Sequence, residues 1–326
     1  MSIKNDKSGL PPAGQKTSMP PSDTRFLRHY VDYLEARRSE SQPAEGARLR
    51  HSSAAKCSRA LSFGLAGFVG EPIDAAGLHV MTEGQLLHEQ VQQALVDAYG
   101  DQCQTEVVCT IPEADSAGHI DAVLWTRPPT CQCPRPEECD CAPHKVALEL
   151  KTIGGFAFKS AVGERGPAEG PRHSAVVQGS LNAYAVDADE LVVAYLATEA
   201  ISKQAAGRKG FGELARFMAE WTFDREDFVP LAETELRRLG VVLDNVDIGR
   251  LSATYIPDPN IPADALIVDP AQSRWEARFD DGSVRDAGTT WHCTYCPYQR
   301  ACSAINNPHP VNIDKAAREV EKVVPF

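Results

Sequence analysis

The chain has 326 residues, 43% of them hydrophobic, with ten cysteines and a formal net charge of −12. This length and apolar content allow one large or two medium domains with a sizeable core. The sequence has no charged-then-apolar leader and no apolar run of about twenty residues, so we predict no membrane-spanning helix and expect a cytoplasmic protein. In that reducing compartment the cysteines favour metal binding over disulfides.

The N-terminal segment differs in composition from the rest of the chain. Residues 1–22 are rich in Pro, Ser, Lys and Gly, which predicts disorder. Residues 23–45 are predicted to form a helix, capped by Ser22 or Asp23, and a polar linker. Basic residues outnumber acidic ones in residues 1–60, although the whole chain is acidic. This local excess could supply the basic surface that phosphate contacts need.

A helix is predicted over residues 82–96, within a main domain that we expect to span residues 46–306. Its apolar side chains recur at helical spacing, and they are Leu87, Val91, Ala94 and Leu95. His88 and Glu89 lie in its first turns. A neutral imidazole at His88 can bind a metal ion. The alternative is that His88 is a half-buried histidine of the helix face.

Two later segments alternate in polarity as strands do. The strand predicted over residues 118–124 presents Asp121 on one face and an apolar set on the other: Ile120, Ala122 and Leu124. The strand predicted over residues 146–152 presents Glu149 and Lys151 together on one face and a second apolar set on the other: Val146, Leu148 and Leu150. Glu149 and Lys151 therefore converge on one spot.

The residues Asp121, Glu149 and Lys151 are those that a metal-dependent phosphodiesterase needs. Neighbouring strands can hold a divalent cation between Asp121 and Glu149, because hard oxygen ligands suit Mg²⁺ or Mn²⁺. Lys151 would lie beside the metal and orient or help deprotonate the attacking water. Cleavage of nucleic acid is the favoured function, although an isolated Glu-x-Lys is more often a solvated strand edge.

A cysteine-rich insertion separates the two strands. The prolines of residues 128–144 predict a loop. Two C-x-C pairs could make a zinc knuckle with His144 as a spare ligand. The pairs are Cys131, Cys133, Cys139 and Cys141. The alternative is a reduced, solvent-facing loop. Cys103 and Cys109, outside the insertion, are predicted to be buried small side chains of a strand pair.

Two glycine-bearing stretches follow the second strand. Residues 154–172 are predicted to be a mobile loop beside the site, in which Phe156 and Phe158 would stack on bases or pack in the core. Residues 201–210 carry three basic side chains that would contact DNA or lie on a solvated loop: Lys203, Arg208 and Lys209.

Three cysteines cluster near the C-terminus in a C-x2-C-x5-C run: Cys293, Cys296 and Cys302. Cys57 can supply a fourth ligand if the fold brings the two ends of the chain together. Four sulfurs can bind zinc or an iron–sulfur cluster, and the spacing does not distinguish them. Residues 307–326 are predicted to form a Pro-rich joint and a short tail helix, which would dock a partner or a second subunit or have no measurable role.

In order and spacing, the elements from Cys57 to Cys302 resemble the CRISPR-associated, RecB-like iron–sulfur exonucleases of the PD-(D/E)xK superfamily, including their bacteriophage versions. The matching elements are Cys57, Gly84-x3-His88-Glu89, Gly118-x2-Asp121, Glu149-x-Lys151, a Gln/Tyr helix and the three-cysteine run. The resemblance implies an α/β fold with a restriction-endonuclease-like core, in which helices flank a mixed central sheet. It also implies an iron–sulfur clasp that joins the N- and C-terminal segments.

The same resemblance implies ligands and an activity. A 4Fe–4S cluster would be held by Cys57, Cys293, Cys296 and Cys302. Mg²⁺ or Mn²⁺ would be held by His88, Asp121, Glu149 and the Leu150 carbonyl. The implied reaction is hydrolysis of DNA, as an exonuclease on single-stranded ends. The implied settings are phage or bacterial recombination and repair, or CRISPR adaptation with its partner proteins, in the bacterial host cytoplasm.

One element departs from the family pattern. Such enzymes carry Gln-x3-Tyr on the helix after Glu-x-Lys, whereas here Gln178 is followed at i+4 by Asn182, and Tyr184 lies off that face. The resemblance therefore carries Gln178 into the catalytic site. Tyr184 would contact DNA or be a core residue.

Two other classes of function stay open at this point. One is a catalytically inactive DNA-binding or adaptor protein that keeps the nuclease fold and the cluster, against which the intact Asp121, Glu149 and Lys151 argue. The other is a regulatory protein whose C-terminal cysteines bind zinc alone. Iron content, and digestion of end-labelled single strands, would distinguish the three classes.

Overall fold

The computed structural model describes residues 48–128, 130–131, 141–278 and 281–323, together with Tyr30, residues 32–34 and Ala36. The predictions for residues 1–22, and for Cys133 and Cys139, fall outside the described residues. Within the predicted N-terminal helix, the residues that are described are helical, and Leu34 is buried.

A six-stranded mixed sheet forms the centre of the molecule. Its strands are β1 (Leu49–Arg50), β2 (Cys103–Ile111), β3 (Ser116–Thr126), β4 (His144–Ile153), β5 (Glu190–Ala197) and β6 (Met218–Asp224). β4 and β5 are parallel, and β2, β4 and β6 each run antiparallel to a neighbour. The mixed central sheet that was predicted is therefore confirmed.

The edge of β3 that faces β4 contains a gap. β2 occupies the opposite edge of β3 from Ser116 to Leu124. The edge that faces β4 is shared, because β1 pairs with Ser116 and Ala117 while β4 pairs with the residues from Ala122 to Thr126. Residues 118–121 thus have no strand partner on this edge in the part of the chain that the structure describes. We call this gap the notch.

Helices cover both faces of the sheet. They are α1 (Ser58–Leu65), α2 (Ala75–Tyr99), α3 (Gly155–Ala161), α4 (His173–Ala185), α5 (Lys203–Lys209), α6 (Arg225–Asp247), α7 (Gln299–Ile305) and α8 (Ile313–Val320). On one face, Val91 and Leu95 of α2 pack against Leu124 and Leu148. On the other face, α4 supplies Val176 to a second apolar cluster. Burial on both sides fixes the sheet between these layers.

The helix predicted over residues 82–96 is confirmed and is longer at both ends. The side chain of Asp74 caps α2 by accepting a 2.8 Å hydrogen bond from the Gly77 N–H, which starts the helix early. Gly100, with φ of 54°, ends it. The buried assignment of Cys103 and Cys109 is confirmed as well, since they are 8% and 1% exposed.

The loop prediction for residues 154–172 was wrong, since this stretch contains the helix α3, and residues 201–210, for which a solvated loop was one alternative, contain α5. Gly154 adopts an extended backbone before α3, and Phe158 on that helix is fully buried, whereas Phe156 is 70% exposed. The Ser202 hydroxyl caps α5, and Gly210 ends it with a φ of 70°. Glycines here lie at the helix boundaries or on an exposed face, so they do not prevent either helix.

The face assigned to Ile120 was also wrong. Ile120 packs with Val123 and Ala147 on the α4 side, whereas Ala122 and Leu124 pack on the α2 side. The strict alternation breaks at Asp121, where the β3–β4 ladder ends. Opposite Asp121, Glu106 of β2 has a left-handed backbone, with φ of 51°. Both changes reorient the strand at the notch.

The C-terminal third of the chain packs against the N-terminal part of the described fold. It adds a three-stranded sheet of β8 (Ala265–Asp269), β9 (Arg274–Arg278) and β10 (Val284–Thr289), and a pair of β7 (Arg250–Leu251) with β11 (Val311–Asn312). The predicted tail helix is confirmed as α8, which buries Ala316 and Val320 against Phe63 of α1. None of the described helices is long and apolar enough to cross a bilayer.

Candidate active site

The notch brings the predicted catalytic side chains together. Asp121 accepts a 2.7 Å hydrogen bond from the Leu150 N–H through Oδ2, and its Oδ1 lies 3.1 Å from His88 Nδ1. The Lys151 ammonium lies 2.6 Å from Glu149 Oε1 and donates a 3.0 Å hydrogen bond to Gln178 Oε1. Five side chains thus form two hydrogen-bonded groups, His88 with Asp121 and Glu149 with Lys151 and Gln178, which the Leu150 N–H of β4 links.

Backbone geometry explains this convergence. Glu149 and Lys151 lie two residues apart on β4 and so project from the same face, towards α4, which carries Gln178. The β3–β4 ladder ends at the pair Ala122 and Leu148, which frees the Leu150 N–H to donate to the Asp121 carboxylate. The end of the ladder therefore creates the space between the two carboxylates.

Asn182 fixes the second oxygen of Glu149. Its side-chain amide donates 3.0 Å hydrogen bonds to Glu149 Oε2 and to the His119 carbonyl. Its Oδ1 accepts a 2.7 Å hydrogen bond from Nδ1 of His51, and the Ser116 hydroxyl lies 3.3 Å from the other ring nitrogen of His51. Asn182 thus lies four residues after Gln178, where the family that the sequence resembles has tyrosine.

His51 is a buried residue of the candidate site that sequence reasoning missed. It follows the two-residue strand β1 and is fully buried. Burial lowers the pKa of its imidazole, while the hydrogen bond to Asn182 opposes this effect. No periodicity or motif marks His51. The available signal was the glycine at position 118, which leaves room for this ring beside β3.

The electrostatic balance at Glu149 favours a cation. Glu149 is 1% exposed, and burial raises the pKa of its carboxyl. The nearby Lys151 lowers that pKa, and the negative charge of Asp121 raises it further. An additional positive charge between the two carboxylates would stabilise both ionised forms.

The donor set suits a hard divalent cation, but its side chains are turned towards protein donors. Among the described residues, no three His, Cys, Asp or Glu side chains form a ready coordination shell. The reason is local, because the Lys151 ammonium and the Leu150 N–H occupy the carboxylate oxygens. Two carboxylates and an imidazole have the chemistry for Mg²⁺ or Mn²⁺, and binding requires these contacts to rearrange.

The four cysteines of the predicted clasp line one cavity of about 690 Å³: Cys57, Cys293, Cys296 and Cys302. Lys151 and Gln178 line the same cavity. Burial, reinforced by the neighbouring thiols, raises the pKa of Cys293 to about 12 and that of Cys296 to about 11. Thiolates at these positions therefore need a cationic partner.

Arg59 provides an independent indication of an anionic group in this cavity. The side chain is 1% exposed and lines the cavity. Its Nε and Nη2 donate to the carbonyls of Ser252 and His309, but Nη1 has no hydrogen-bond partner. A buried guanidinium N–H without an acceptor is unusual in a folded protein. A metal–thiolate group would provide the acceptor, although the four sulfurs, like the acidic group, do not form a ready coordination shell among the described residues.

The insertion cysteines are only partly described. The sulfurs of Cys131 and Cys141 lie 3.5 Å apart, a separation compatible with two ligands of one zinc ion. The role of His144 as a spare ligand stays a prediction. His144 begins β4, and its Nε2 lies 3.1 Å from the Glu190 carboxylate, which engages it away from the cysteines.

The predicted auxiliary DNA contacts lie apart from the site. Tyr184 is half-buried and packs with Leu181 and Leu239, as a core residue does. The basic side chains of α5 are exposed and do not belong to the described lining of the cavity: Lys203, Arg208 and Lys209.

Comparison with known proteins gives two findings. No protein-family model matches the chain, and no curated protein matches it. Among solved structures, the chain is similar to SSO0001, at 12% identity and a TM-score of 0.39, over 68% of this chain and 88% of that one. It is also similar to an alkaline exonuclease (LHK-Exo) from Laribacter hongkongensis, at 10% identity and a TM-score of 0.33, over 68% and 81% of the two chains. Similarity this low carries no functional argument.

Gly118→Ala should destabilise the protein. A Cβ at this position would lie 2.6 Å from the His51 Cβ and 2.7 Å from Asn182 Oδ1, both held in buried contacts. We expect a loss of about 1–3 kcal/mol in unfolding free energy, as for other overpacked cores. Urea unfolding measures this loss. Gly240→Ala is the matched control, because nothing lies within 4 Å of its Cβ; equal stability of the two variants would contradict the packing argument.

His51→Asn should flatten the acid limb of the stability curve. The folded protein holds His51 with a pKa below its ordinary value of 6.5, so the unfolded chain binds the extra proton as the pH falls. Wild-type stability should therefore be present above pH 6.5 and decline below it, by at most about 1.4 kcal/mol from this group at pH 5.5.

Urea unfolding at pH 7.5 and 5.5, for both proteins, isolates the contribution of His51. His173 and His292 also have lowered pKa values and contribute equally to both proteins. Identical pH dependence of the wild type and the variant would show that His51 is not held neutral.

Proposed function

We propose that the protein is a metal-dependent nuclease that hydrolyses DNA as an exonuclease at single-stranded ends. The observation that supports the proposal is the notch, beside which Asp121 lies next to His88 and Glu149 lies next to Lys151 on neighbouring strands. Acidic ligands beside a lysine are what phosphodiester hydrolysis needs, because the reaction develops negative charge on phosphate oxygens.

His88, Asp121, Glu149 and the Leu150 carbonyl would hold one or two Mg²⁺ or Mn²⁺ ions. Bound there, the metal supplies polarisation of the scissile phosphate and acidification of a water molecule. Lys151, released from Glu149, would align that water and offset the growing charge of the phosphate. Gln178 keeps the ammonium in position through its 3.0 Å hydrogen bond.

Asn182 and His51 would keep Glu149 in one orientation. Such residues, which would not bind the metal themselves, matter because a ligand with fixed geometry binds its metal more tightly than a freely rotating one. The shorter amide of Asn182 reaches Glu149 directly, which supports a positioning role at the place of the family tyrosine. Tyr184 has no part in the proposed chemistry.

The cysteine cavity would hold a 4Fe–4S cluster that ties Cys57 to Cys293, Cys296 and Cys302. The support is the orphaned Nη1 of the buried Arg59 and the raised thiol pKa values in the same cavity. Zinc in the same ligand set is the alternative. The cluster would be structural, and the setting would be recombination, repair or CRISPR adaptation in a phage or its bacterial host.

The competing function is a catalytically inactive DNA-binding or adaptor protein with the same fold. The buried Glu149 argues against it, because burying a carboxylate is unfavourable and a binding surface does not require it.

Glu149→Gln should abolish cleavage while the fold is retained. The amide keeps the shape of the side chain but removes the charge that would bind the cation, so we expect kcat/KM to fall about a hundredfold or more. Digestion of end-labelled single strands with Mn²⁺ or Mg²⁺ measures the effect. Glu220→Gln, on an exposed position of β6, is the matched control. Full activity in Glu149→Gln would exclude this site.

Purified protein should be brown and contain about four iron atoms per chain. Cys302→Ser should lose the colour and iron, because the buried sulfur would be one of four ligands. Cys103→Ala is the matched control, as it alters a buried thiol outside the cavity. Zinc without iron would show that the four cysteines bind zinc and not a 4Fe–4S cluster. Absence of both metals from protein purified without oxygen or chelators would exclude metal binding by these cysteines.

A further inference from the structure

The cavity beside the active site is basic in an acidic protein. Six Lys or Arg side chains line it and, among the described lining residues, no Asp or Glu does. The six are Arg48, Arg50, Lys56, Arg59, Lys151 and Arg172. Arg48 pairs with Asp247 and Lys151 with Glu149, but Arg50, Lys56 and Arg172 form no ion pair with a described carboxylate. With a net chain charge of −12, this concentration of positive charge indicates a polyanionic ligand.

Two exposed aromatic rings line the same cavity. Trp291 is 50% exposed and Tyr295 is 79% exposed. The His292 ring stacks on Trp291 with ring centroids 4.1 Å apart, and Tyr295 lies 6.3 Å from Trp291. We call Trp291 and Tyr295 the aromatic shelf. Exposing large apolar rings to water at a basic opening is unfavourable, whereas stacking a nucleobase on them is favourable.

Arg172 connects the aromatic shelf to the catalytic group. Its guanidinium lies 5.5 Å from the centre of the Trp291 ring. Arg172 is also the residue that precedes α4, the helix that carries Gln178, and its backbone N–H donates a 2.7 Å hydrogen bond to the Tyr195 hydroxyl. Arg172 and Lys151 line the same cavity, and both charges act to lower the pKa of the Tyr195 hydroxyl, against the effect of its burial.

The candidate cluster ligands determine where the aromatic shelf lies. Trp291 precedes Cys293 by two residues, and Tyr295 lies between Cys293 and Cys296. Hydrogen bonds from Thr294 N–H to Trp291 O and from Cys296 N–H to Cys293 O close this segment into consecutive turns. Metal binding by the cysteines would hold both rings at the opening.

We propose that the aromatic shelf is a base-binding subsite for single-stranded nucleic acid, whose phosphates contact Arg172, Lys56 and Arg50. The proposal deepens the proposed nuclease function and rests on it for the identity of the substrate. Stacking needs the open π-face of an unpaired base, which a duplex does not offer, and each stacked base adds affinity without sequence preference.

Binding of a labelled single-stranded oligonucleotide in EDTA tests the subsite without cleavage. Trp291→Ala and Tyr295→Ala should each weaken binding about tenfold, because each removes one stacking surface. Tyr99→Ala is the matched control, since Tyr99 is 43% exposed at the end of α2 and does not belong to the described lining of the cavity. Trp291→Phe should restore most of the affinity that Trp291→Ala loses.

Binding of a second oligonucleotide, which lacks bases at several positions, distinguishes the contribution of base stacking to the affinity from that of the phosphate charges. The wild type should bind this oligonucleotide more weakly, whereas the double variant Trp291→Ala with Tyr295→Ala should bind the two oligonucleotides alike. Equal discrimination by both proteins, unchanged affinity of the variants, or no binding by the wild type would overturn the subsite.

The two proposals fail in different ways. Base-dependent binding by a protein that cleaves nothing with Mg²⁺ or Mn²⁺ would support the aromatic shelf and contradict the nuclease. Normal cleavage with unaltered binding by the Ala variants would overturn the aromatic shelf alone. Circular dichroism and metal content of each variant check that the fold is kept, and Trp291→Phe provides the comparison if Trp291→Ala loses metal.

Discussion

The site depends on one buried carboxylate. Glu149 lies inside the protein between the Lys151 ammonium and the Asn182 amide, and both of its oxygens are satisfied. An ionised carboxylate in this environment is stable only with such partners. The surrounding residues hold these partners in place. Gln178 orients the Lys151 ammonium, His51 orients the Asn182 amide, and Gly118 leaves room for His51 and Asn182. Removing any one of them disturbs the charge at the centre.

Much of the candidate site could be predicted because strand alternation is a local property. The two-residue period alone places Glu149 and Lys151 on one face, and helical spacing places His88 on a helix that packs against the same sheet. His51 was not predictable in this way, because it follows a two-residue strand whose pairing depends on tertiary contacts. The helices α3 and α5 were missed because their glycines suggested loops, although these glycines lie at the helix ends or on an exposed face. Ile120 was assigned to the wrong face because the strand reorients where its ladder ends.

The C-terminal third contributes both to the stability of the fold and to the lining of the cavity. Arg59 of α1 donates to carbonyls of Ser252 and His309, so the N- and C-terminal parts of the described fold are joined by buried hydrogen bonds as well as by apolar packing. The same C-terminal third provides three of the four cavity cysteines and both rings of the aromatic shelf. The contacts that stabilise the C-terminal third therefore also form the cavity.

The shared edge of β3 has a consequence for how the chain tolerates change. The notch lies near the start of β3, whereas the cysteine-rich insertion leaves from its other end, after Thr126. Five residues of extended backbone separate Asp121 from that end, about 17 Å along the strand. A change of length in the insertion, or a fluorophore attached there, should therefore leave the side chains around the notch in place.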